Sequence, residues 1–152
     1  NEGFNIISAN HFLEKSFSPK GHFAGPKPFS TFQKEIDRGY EVLKSLSKSD
    51  VGQSVVIQNG LILAVEAIEG TDEMIKRAGK LKFSGLGPIL VKAPKINQDM
   101  RFDQPVIGEK TIDYAYKSGF SGIACKHKNV LIINLEKVIK LAEKRQITLF
   151  GF

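Results

Sequence analysis

Charged side chains crowd the segment from Lys92 to Pro105, "KAPKINQDMRFDQP", which contains no apolar run suited to a core element. Within it, Asp99, Arg101 and Asp103 alternate along the chain. In an extended strand the two aspartates would lie about 13 Å apart, too far to share one ion. In a turn, side chains four positions apart approach to about 5–6 Å, where two carboxylates repel unless a cation lies near them. For the aspartates to act together, the loop must curl and hold a cation beside them.

Two cations suit this loop, and the residues alone leave both open. Arg101 would staple the loop through Asp–Arg pairs, a common arrangement in charged surface loops. Magnesium would instead make the loop a catalytic site, because it prefers oxygen ligands, keeps bound waters and bridges a carboxylate to a substrate phosphate. Composition and spacing alone favour the stapled loop by a small margin.

A second polar cluster lies in "EAIEGTDEM". Glu66 falls inside a run that is otherwise typical of a buried strand, and a carboxylate there is costly unless it is paired, hydrogen-bonded or bound to metal. Glu69 follows it, and the amides of Gly70, Thr71 and Asp72 would form the positive start of a helix, which is a natural seat for phosphate. The structural alternative is that Glu66 faces solvent and that Thr71 or Asp72 only caps the helix.

Both clusters come directly after predicted strands, the position at which ligands usually bind in α/β proteins. Asn59-Gly60 joins two β-branched runs and predicts a type I′ hairpin whose second run extends to Ile68. A further strand is predicted at Ile89–Val91. Amphipathic spacing predicts helices over 31–50, after Gly70, over 109–119 and over 135–146. A strand is predicted at Phe4–Ser8, two short strands around a tight turn in "GIACKHKNVLIIN", and an apolar tail in "ITLFGF".

These elements predict an α/β fold: a mixed β-sheet with a β-hairpin and packed helices, in a single main domain. The length of 152 residues with 41% hydrophobic residues suits one sizeable core. The segment 18–30, with three prolines and two glycines, is typical of a loop or linker and is a candidate domain boundary.

Charge and composition limit the classes of molecule that we expect this protein to bind. The 22 basic and 16 acidic residues give a net charge of +6, which favours an anionic partner. With no Trp, three Tyr and no basic run interleaved with aromatics, nucleic acid is not the expected partner. The single cysteine, Cys125, rules out an internal disulfide and is typical of a small buried strand residue. No apolar run approaches the roughly 20 residues that span a bilayer, so a soluble, cytoplasmic protein is expected.

Two long stretches resemble one enzyme family. "DVGQSVVIQNGLILAVEAIEGTDEMIKRAG" (50–79) and "ILVKAPKINQDMRFDQPVIGEKTI" (89–112) are similar to the C-terminal domain of the LpxI-type UDP-2,3-diacylglucosamine pyrophosphatases of lipid A biosynthesis. The resemblance implies a metal-dependent hydrolase of Gram-negative bacteria, using magnesium or alternatively manganese. It would split UDP-2,3-diacylglucosamine into UMP and 2,3-diacylglucosamine 1-phosphate.

The same resemblance implies a domain organisation and a location. Residues 1–17 would be the tail of a missing N-terminal Rossmann-like domain, residues 18–30 the linker, and residues 31–152 the C-terminal catalytic-type α/β domain. The implied partners are the UDP-diacylglucosamine substrate, the missing N-terminal domain and the surface of the inner membrane, to which a cytoplasmic protein would attach peripherally. A homodimer is left open.

Site residues follow from these motifs. The family's "QDxRFD" falls on Gln98, Asp99, Arg101, Phe102 and Asp103, and the resemblance implies that Asp99 or Asp103 is essential. We assign catalysis to Lys92, Asp99, Arg101 and Asp103. We assign metal binding to Glu66, Glu69, Asp99 and Asp103, and substrate binding to Gly70, Thr71, Lys95 and Gln98. The alternative to an enzyme is a non-catalytic nucleotide- or phosphate-binding module.

Overall fold

The computed structural model describes residues 13–96, 98 and 103–152. A short 3-10 helix, Glu14–Ser16, opens the described chain. The strands are β1 (Gly21–Ala24), β2 (Ser54–Gln58), β3 (Leu61–Val65), β4 (Ile89–Lys92), β5 (Val106–Ile107), β6 (Gly122–Cys125), β7 (Leu131–Ile132) and β8 (Thr148–Gly151). The helices are α1 (Phe32–Ser47), α2 (Gly70–Gly79), α3 (Glu109–Lys117) and α4 (Leu135–Arg145).

Six of the described strands form one mixed sheet in the order β1-β8-β6-β4-β2-β3. Strands β4, β6 and β8 are parallel, whereas β2 is antiparallel to both β3 and β4, and β1 is antiparallel to β8. Strands β5 and β7 form a separate parallel pair. The predicted α/β fold, with a mixed sheet and packed helices in a single main domain, is confirmed.

Helices cover both faces of the sheet, which explains its nearly continuous apolar strands. Helix α1 packs on one face, where Phe32 and Ile36 join Val91 of β4 in one buried cluster. Helices α2, α3 and α4 pack on the other face, where Leu90 of the same strand is buried. Because strand side chains alternate between faces, Lys92 lies on the same side as Leu90 and therefore faces helix α2.

The predicted hairpin is confirmed. Asn59 and Gly60 both have positive φ angles, 53° and 77°, as a type I′ turn requires. Strand β3 is shorter than predicted, since it ends at Val65 rather than Ile68. Glu66 therefore lies just beyond the strand, although its backbone N–H still donates to Ser54 O at 2.9 Å.

The segment 18–30 is not a loop throughout, whereas its role as a domain boundary stays a prediction. The predicted linker 18–30 contains β1, which pairs antiparallel with β8 at the edge of the sheet. An edge strand forms bonds on one side only and so tolerates flanking proline and glycine, which hid it in the composition. The two short strands predicted around a tight turn in "GIACKHKNVLIIN" are confirmed as β6 and β7. They do not pair with each other, because β6 joins the main sheet and β7 pairs with β5.

The terminal "ITLFGF" is also more than an apolar tail, because it forms strand β8 between β1 and β6. The strand predicted at Phe4–Ser8 lies outside the described residues. No helix in the described part of the chain combines the length and the apolar character that a bilayer crossing requires.

Candidate functional site

The direction of the strands brings the two predicted clusters together. Because β3 and β4 are both antiparallel to β2, their carboxyl ends lie at the same edge of the sheet. Glu66 follows β3 and Lys92 ends β4 at this edge. Strand β2 starts here, and Ser54 lies opposite Lys92 in the register. The start of α2 at Gly70 follows Glu66 by a short turn.

Lys92 is the buried centre of this edge, with 3% of its surface exposed. Its ammonium donates hydrogen bonds to Thr71 Oγ1 at 2.7 Å and to Ser54 Oγ at 3.0 Å. The Nζ atom also lies 3.7 Å from Glu66 Oε2. Burial lowers the pKa of Lys92, and the nearby charge of Glu66 partly opposes that shift. We call Ser54, Glu66, Thr71 and Lys92 the Lys92 centre.

Glu66 is held from two sides within the Lys92 centre. Its Oε1 accepts the hydroxyl hydrogen of Thr71 at 2.8 Å, and its Oε2 accepts the backbone N–H of Gln53 at 3.2 Å. The Thr71 hydroxyl thus accepts a hydrogen bond from Lys92 and donates one to Glu66. It connects the ammonium to the carboxylate through two hydrogen bonds. The solvent-facing alternative for Glu66 is wrong, because only 12% of its side chain is exposed.

Neither predicted helix cap is observed. Helix α2 begins at Gly70 with Glu69 as its N-cap residue, and Glu69 makes no side-chain capping bond. Thr71 uses its hydroxyl in the Lys92 centre instead. Glu69 forms an ion pair with Arg77, and the hydrogen bond from Arg77 holds the pKa of Glu69 below its usual value.

Gln98 links described residues on both sides of it in the segment after β4. The Oε1 atom of Gln98 accepts the Lys95 N–H at 2.9 Å, and its Nε2 donates to the backbone oxygen of Asp103 at 2.8 Å. The same Nε2 lies 2.6 Å from Asp103 Oδ2. Lys95 reaches Asp50 Oδ1 with its Nζ at 2.8 Å. We call the described residues of 95–105 the Asp103 loop.

The substrate roles predicted for Lys95 and Gln98 stay predictions, although both side chains are used within the fold. Asp99, Arg101 and Phe102 lie outside the described residues. Their predicted roles, and the choice between an arginine staple and a metal, therefore stay predictions as well.

Gln53 connects the Lys92 centre to the Asp103 loop. Its backbone N–H binds Glu66, and its side-chain Nε2 lies 3.3 Å from Asp103 Oδ2. Sequence reasoning missed both Gln53 and Ser54, because neither stands in an acidic or basic cluster. The only sequence signal was that both residues lie at the start of β2. That start lies beside Lys92 only because β2 is antiparallel to β4.

A cleft of about 590 Å³ opens beside the Lys92 centre. Two helix starts line it: Gly70 and Thr71 at α2, and Gly108 and Glu109 at α3. Apolar side chains of the β5 and β7 region, including Ile133, form another part of the wall. Backbone N–H groups at helix starts favour anions, but the carboxylates of Glu69, Asp72 and Glu109 also line the cleft beside Lys110, so a phosphate here would need a further cation.

The acidic residues here offer few free ligands to a metal. Among the described residues, no group of three or more His, Cys, Asp or Glu side chains lies close enough together to hold an ion. Glu66 and Glu69 already face the cations Lys92 and Arg77. Asp103 is exposed and its described partners are amides, so it suits an ion such as magnesium that takes its other ligands from water and phosphate.

Comparison with known proteins agrees with the motifs. The family profile of the LpxI C-terminal domain matches residues 19–150. The UDP-2,3-diacylglucosamine pyrophosphatase LpxI of Caulobacter vibrioides is 34% identical over 156 aligned positions, which cover 99% of this chain and 56% of that protein. The chain thus spans about half the length of this curated relative. The chain belongs to the LpxI C-terminal domain family.

Proposed function

We propose that this chain is the catalytic part of an enzyme that hydrolyses the pyrophosphate bond of UDP-2,3-diacylglucosamine. The products would be UMP and 2,3-diacylglucosamine 1-phosphate, in lipid A biosynthesis. One observation carries the proposal: in a chain of the LpxI family, Gln53 links a buried lysine and its carboxylate partner, beside a helix start, to an exposed aspartate. The name of the Caulobacter relative supplies the substrate.

Pyrophosphate cleavage depends on charge neutralisation and an oriented water more than on covalent chemistry. Lys92, Lys95 and Arg101 would neutralise the phosphate oxygens as charge builds on the leaving group. The Gly70 amide and Thr71 would hold one phosphoryl group at the start of α2. The hydroxyl hydrogen of Thr71 is donated to Glu66, so Thr71 would contact the phosphate through its backbone N–H. The hydrogen bonds from Lys92 to Thr71 and Ser54 support this assignment, because they fix the position of Thr71 before substrate arrives.

Magnesium, or alternatively manganese, is part of the proposal. Asp99 and Asp103 are the residues we expect to hold it. Glu66 and Glu69 would join only by giving up part of their contacts with Lys92 and Arg77. When bound, the ion would neutralise phosphate charge and lower the pKa of a bound water. The orientation of the substrate remains the task of the protein side chains.

The complete enzyme would need more than this chain. We propose an N-terminal Rossmann-like domain ahead of it, since the chain covers 56% of its Caulobacter relative. The two acyl chains of the substrate favour peripheral attachment to the cytoplasmic face of the inner membrane. A homodimer is compatible with the proposal.

The test is UMP release from UDP-2,3-diacylglucosamine by the full-length protein, with magnesium and with a chelator. We expect hydrolysis only with the metal, and we expect Asp99→Ala or Asp103→Ala to reduce kcat by about 100-fold or more. Asp37→Ala is the control, because Asp37 is an exposed carboxylate that also accepts an amide hydrogen bond, on α1. The site assignment is wrong if both variants fold and retain nearly normal magnesium-dependent hydrolysis.

The same preparation separates the enzyme from a non-catalytic module. Isothermal titration of a UDP-sugar with and without magnesium measures whether the metal tightens binding. Only the enzyme hypothesis requires it, because the ion would bridge protein carboxylate and phosphate. Equal affinity without magnesium, together with no UMP release, would favour a nucleotide- or phosphate-binding module.

A further inference from the structure

Gln53 is fixed by its backbone between the ends of two strands. Its N–H donates to Glu66 Oε2 at 3.2 Å, just after β3. Its carbonyl oxygen accepts the N–H of Ala93 at 3.0 Å, just after β4. Both main-chain polar groups are therefore bonded to the edge of the sheet that carries the Lys92 centre, which leaves the Gln53 side chain extending from a rigid base.

That side chain reaches the Asp103 loop. Its Nε2 lies 3.3 Å from Asp103 Oδ2, and Gln98 Nε2 lies 2.6 Å from the same oxygen. The two amides differ in origin. Gln98 belongs to the loop and bonds the backbone at Lys95 and at Asp103, so it ties these two described positions of the loop together. Gln53 belongs to the sheet edge, so its contact fixes where the Asp103 carboxylate lies relative to the Lys92 centre.

An amide suits this task for an electrostatic reason. A glutamine Nε2 donates a hydrogen bond but carries no charge. It therefore orients a carboxylate without cancelling the negative charge that hydrolysis would use. A lysine or arginine in the same place would hold the carboxylate more strongly but would compete with any other cation for it.

We propose that Gln53 is a positioning residue that acts through Asp103. Its side chain would hold the Asp103 carboxylate at a fixed position relative to the Lys92 centre. This inference rests on the proposed function, since it assigns Asp103 a part in pyrophosphate hydrolysis. It adds to that function a residue that lies outside the acidic motif and contacts the reacting groups only through another side chain.

The first test replaces the amide in the full-length protein. Gln53→Met keeps the length of the side chain and removes the donor, whereas Gln53→Glu also brings a second negative charge against Asp103. We expect Gln53→Met to lower kcat about 10- to 100-fold, the usual loss when a partner that orients a functional carboxylate is removed. KM should stay within about twofold, and Gln53→Glu should be the more damaging change.

Gln33→Met is the matched control. Gln33 Nε2 donates to Asp37 Oδ1 at 2.8 Å on the exposed surface of α1, so the change removes the same kind of bond far from the site in sequence. We expect its kcat to equal that of the unaltered protein. The thermal midpoints of Gln53→Met and Gln33→Met should be similar, which separates positioning from loss of stability.

A double-mutant cycle tests whether Gln53 acts through Asp103. In an Asp103→Asn background, Gln53→Met should cause no further loss of kcat, because there is no carboxylate left to position. Equal losses in both backgrounds would overturn the proposal, as would a normal kcat for Gln53→Met in a protein that hydrolyses the substrate.

A spectroscopic measurement keeps the inference distinct from the proposed function. The side-chain amide resonance of Gln53 should shift on Asp103→Ala, which removes the acceptor, whether or not the protein is active. A parent protein that folds but releases no UMP overturns the proposed function. An unmoved Gln53 amide resonance overturns the contact itself and so the further inference alone.

Discussion

The Lys92 centre and the Asp103 loop lie at one edge of the sheet but are held in opposite ways. Lys92 is buried, and a carboxylate and two hydroxyls surround its charge. Asp103 is exposed, and in the described part of the chain neutral amides bind its carboxylate. A buried charge must have its partners in place before any ligand arrives, because leaving it unpaired is costly. An exposed carboxylate has water as an alternative partner, so it can adjust when substrate binds.

The largest effect that we expect is on the reactivity of the buried cysteine beside the Lys92 centre. Cys125 lies beside Lys92 in the register of β4 and β6, at the buried side of the edge. Burial raises the pKa of its thiol from 9.0 to about 12, so at pH 8 the thiolate should be about 1,000-fold rarer in the folded protein than in the unfolded chain. Iodoacetamide should therefore label the single cysteine slowly in buffer and rapidly in denaturant.

Labelling at the unfolded rate in buffer would show that this side of the edge opens readily. A free cysteine peptide, measured at the same pH, supplies the reference rate. Such a result would contradict a rigid Lys92 centre.

The next largest effect is on stability. Lys92→Met removes one partner of a mostly buried ion pair and leaves the Glu66 carboxylate without its cation. We expect the free energy of unfolding to fall by about 3 kcal/mol, measured by urea denaturation of this chain. Lys34→Met, at an exposed position of α1, is the control and should change it by less than about 0.5 kcal/mol.

A second variant isolates the cause. Adding Glu66→Gln to Lys92→Met removes the orphaned charge while the amide oxygen still accepts from Thr71, so part of the lost stability should return. If Lys92→Met alone unfolds no more easily than Lys34→Met, the Lys92 centre is not the rigid half of the site.

The smallest effect on stability is expected in the Asp103 loop. Asp103→Asn keeps a side-chain oxygen that can accept from Gln53 and Gln98 and removes only an exposed charge. The free energy of unfolding should change by less than about 0.5 kcal/mol. Urea denaturation of this variant beside Lys92→Met is the measurement. A loss as large as that of Lys92→Met would mean that both regions are structural supports of equal weight.

Local patterns allowed much of the fold to be predicted. Asn59-Gly60 specifies its turn through backbone conformations that these two residues adopt readily, so the hairpin needed no distant contact. Helical spacing likewise predicted the helices. Strand β1 escaped prediction, because its pairing with β8 joins residues more than a hundred positions apart and leaves no local pattern.

The residues of the candidate site also fall into two groups, those that local sequence patterns predicted and those that only the tertiary structure revealed. The sequence by itself determined that Glu66, Thr71 and Lys92 lie at or near the ends of strands and carry groups suited to phosphate chemistry. Only the tertiary structure brought in Ser54 and Gln53, which bond to Lys92 and Asp103 across 38 and 50 positions of the chain. Hydrophobic periodicity records which residues are buried, but not the order and direction of strands. Those are set by packing of the whole sheet, and they decide which side chains meet.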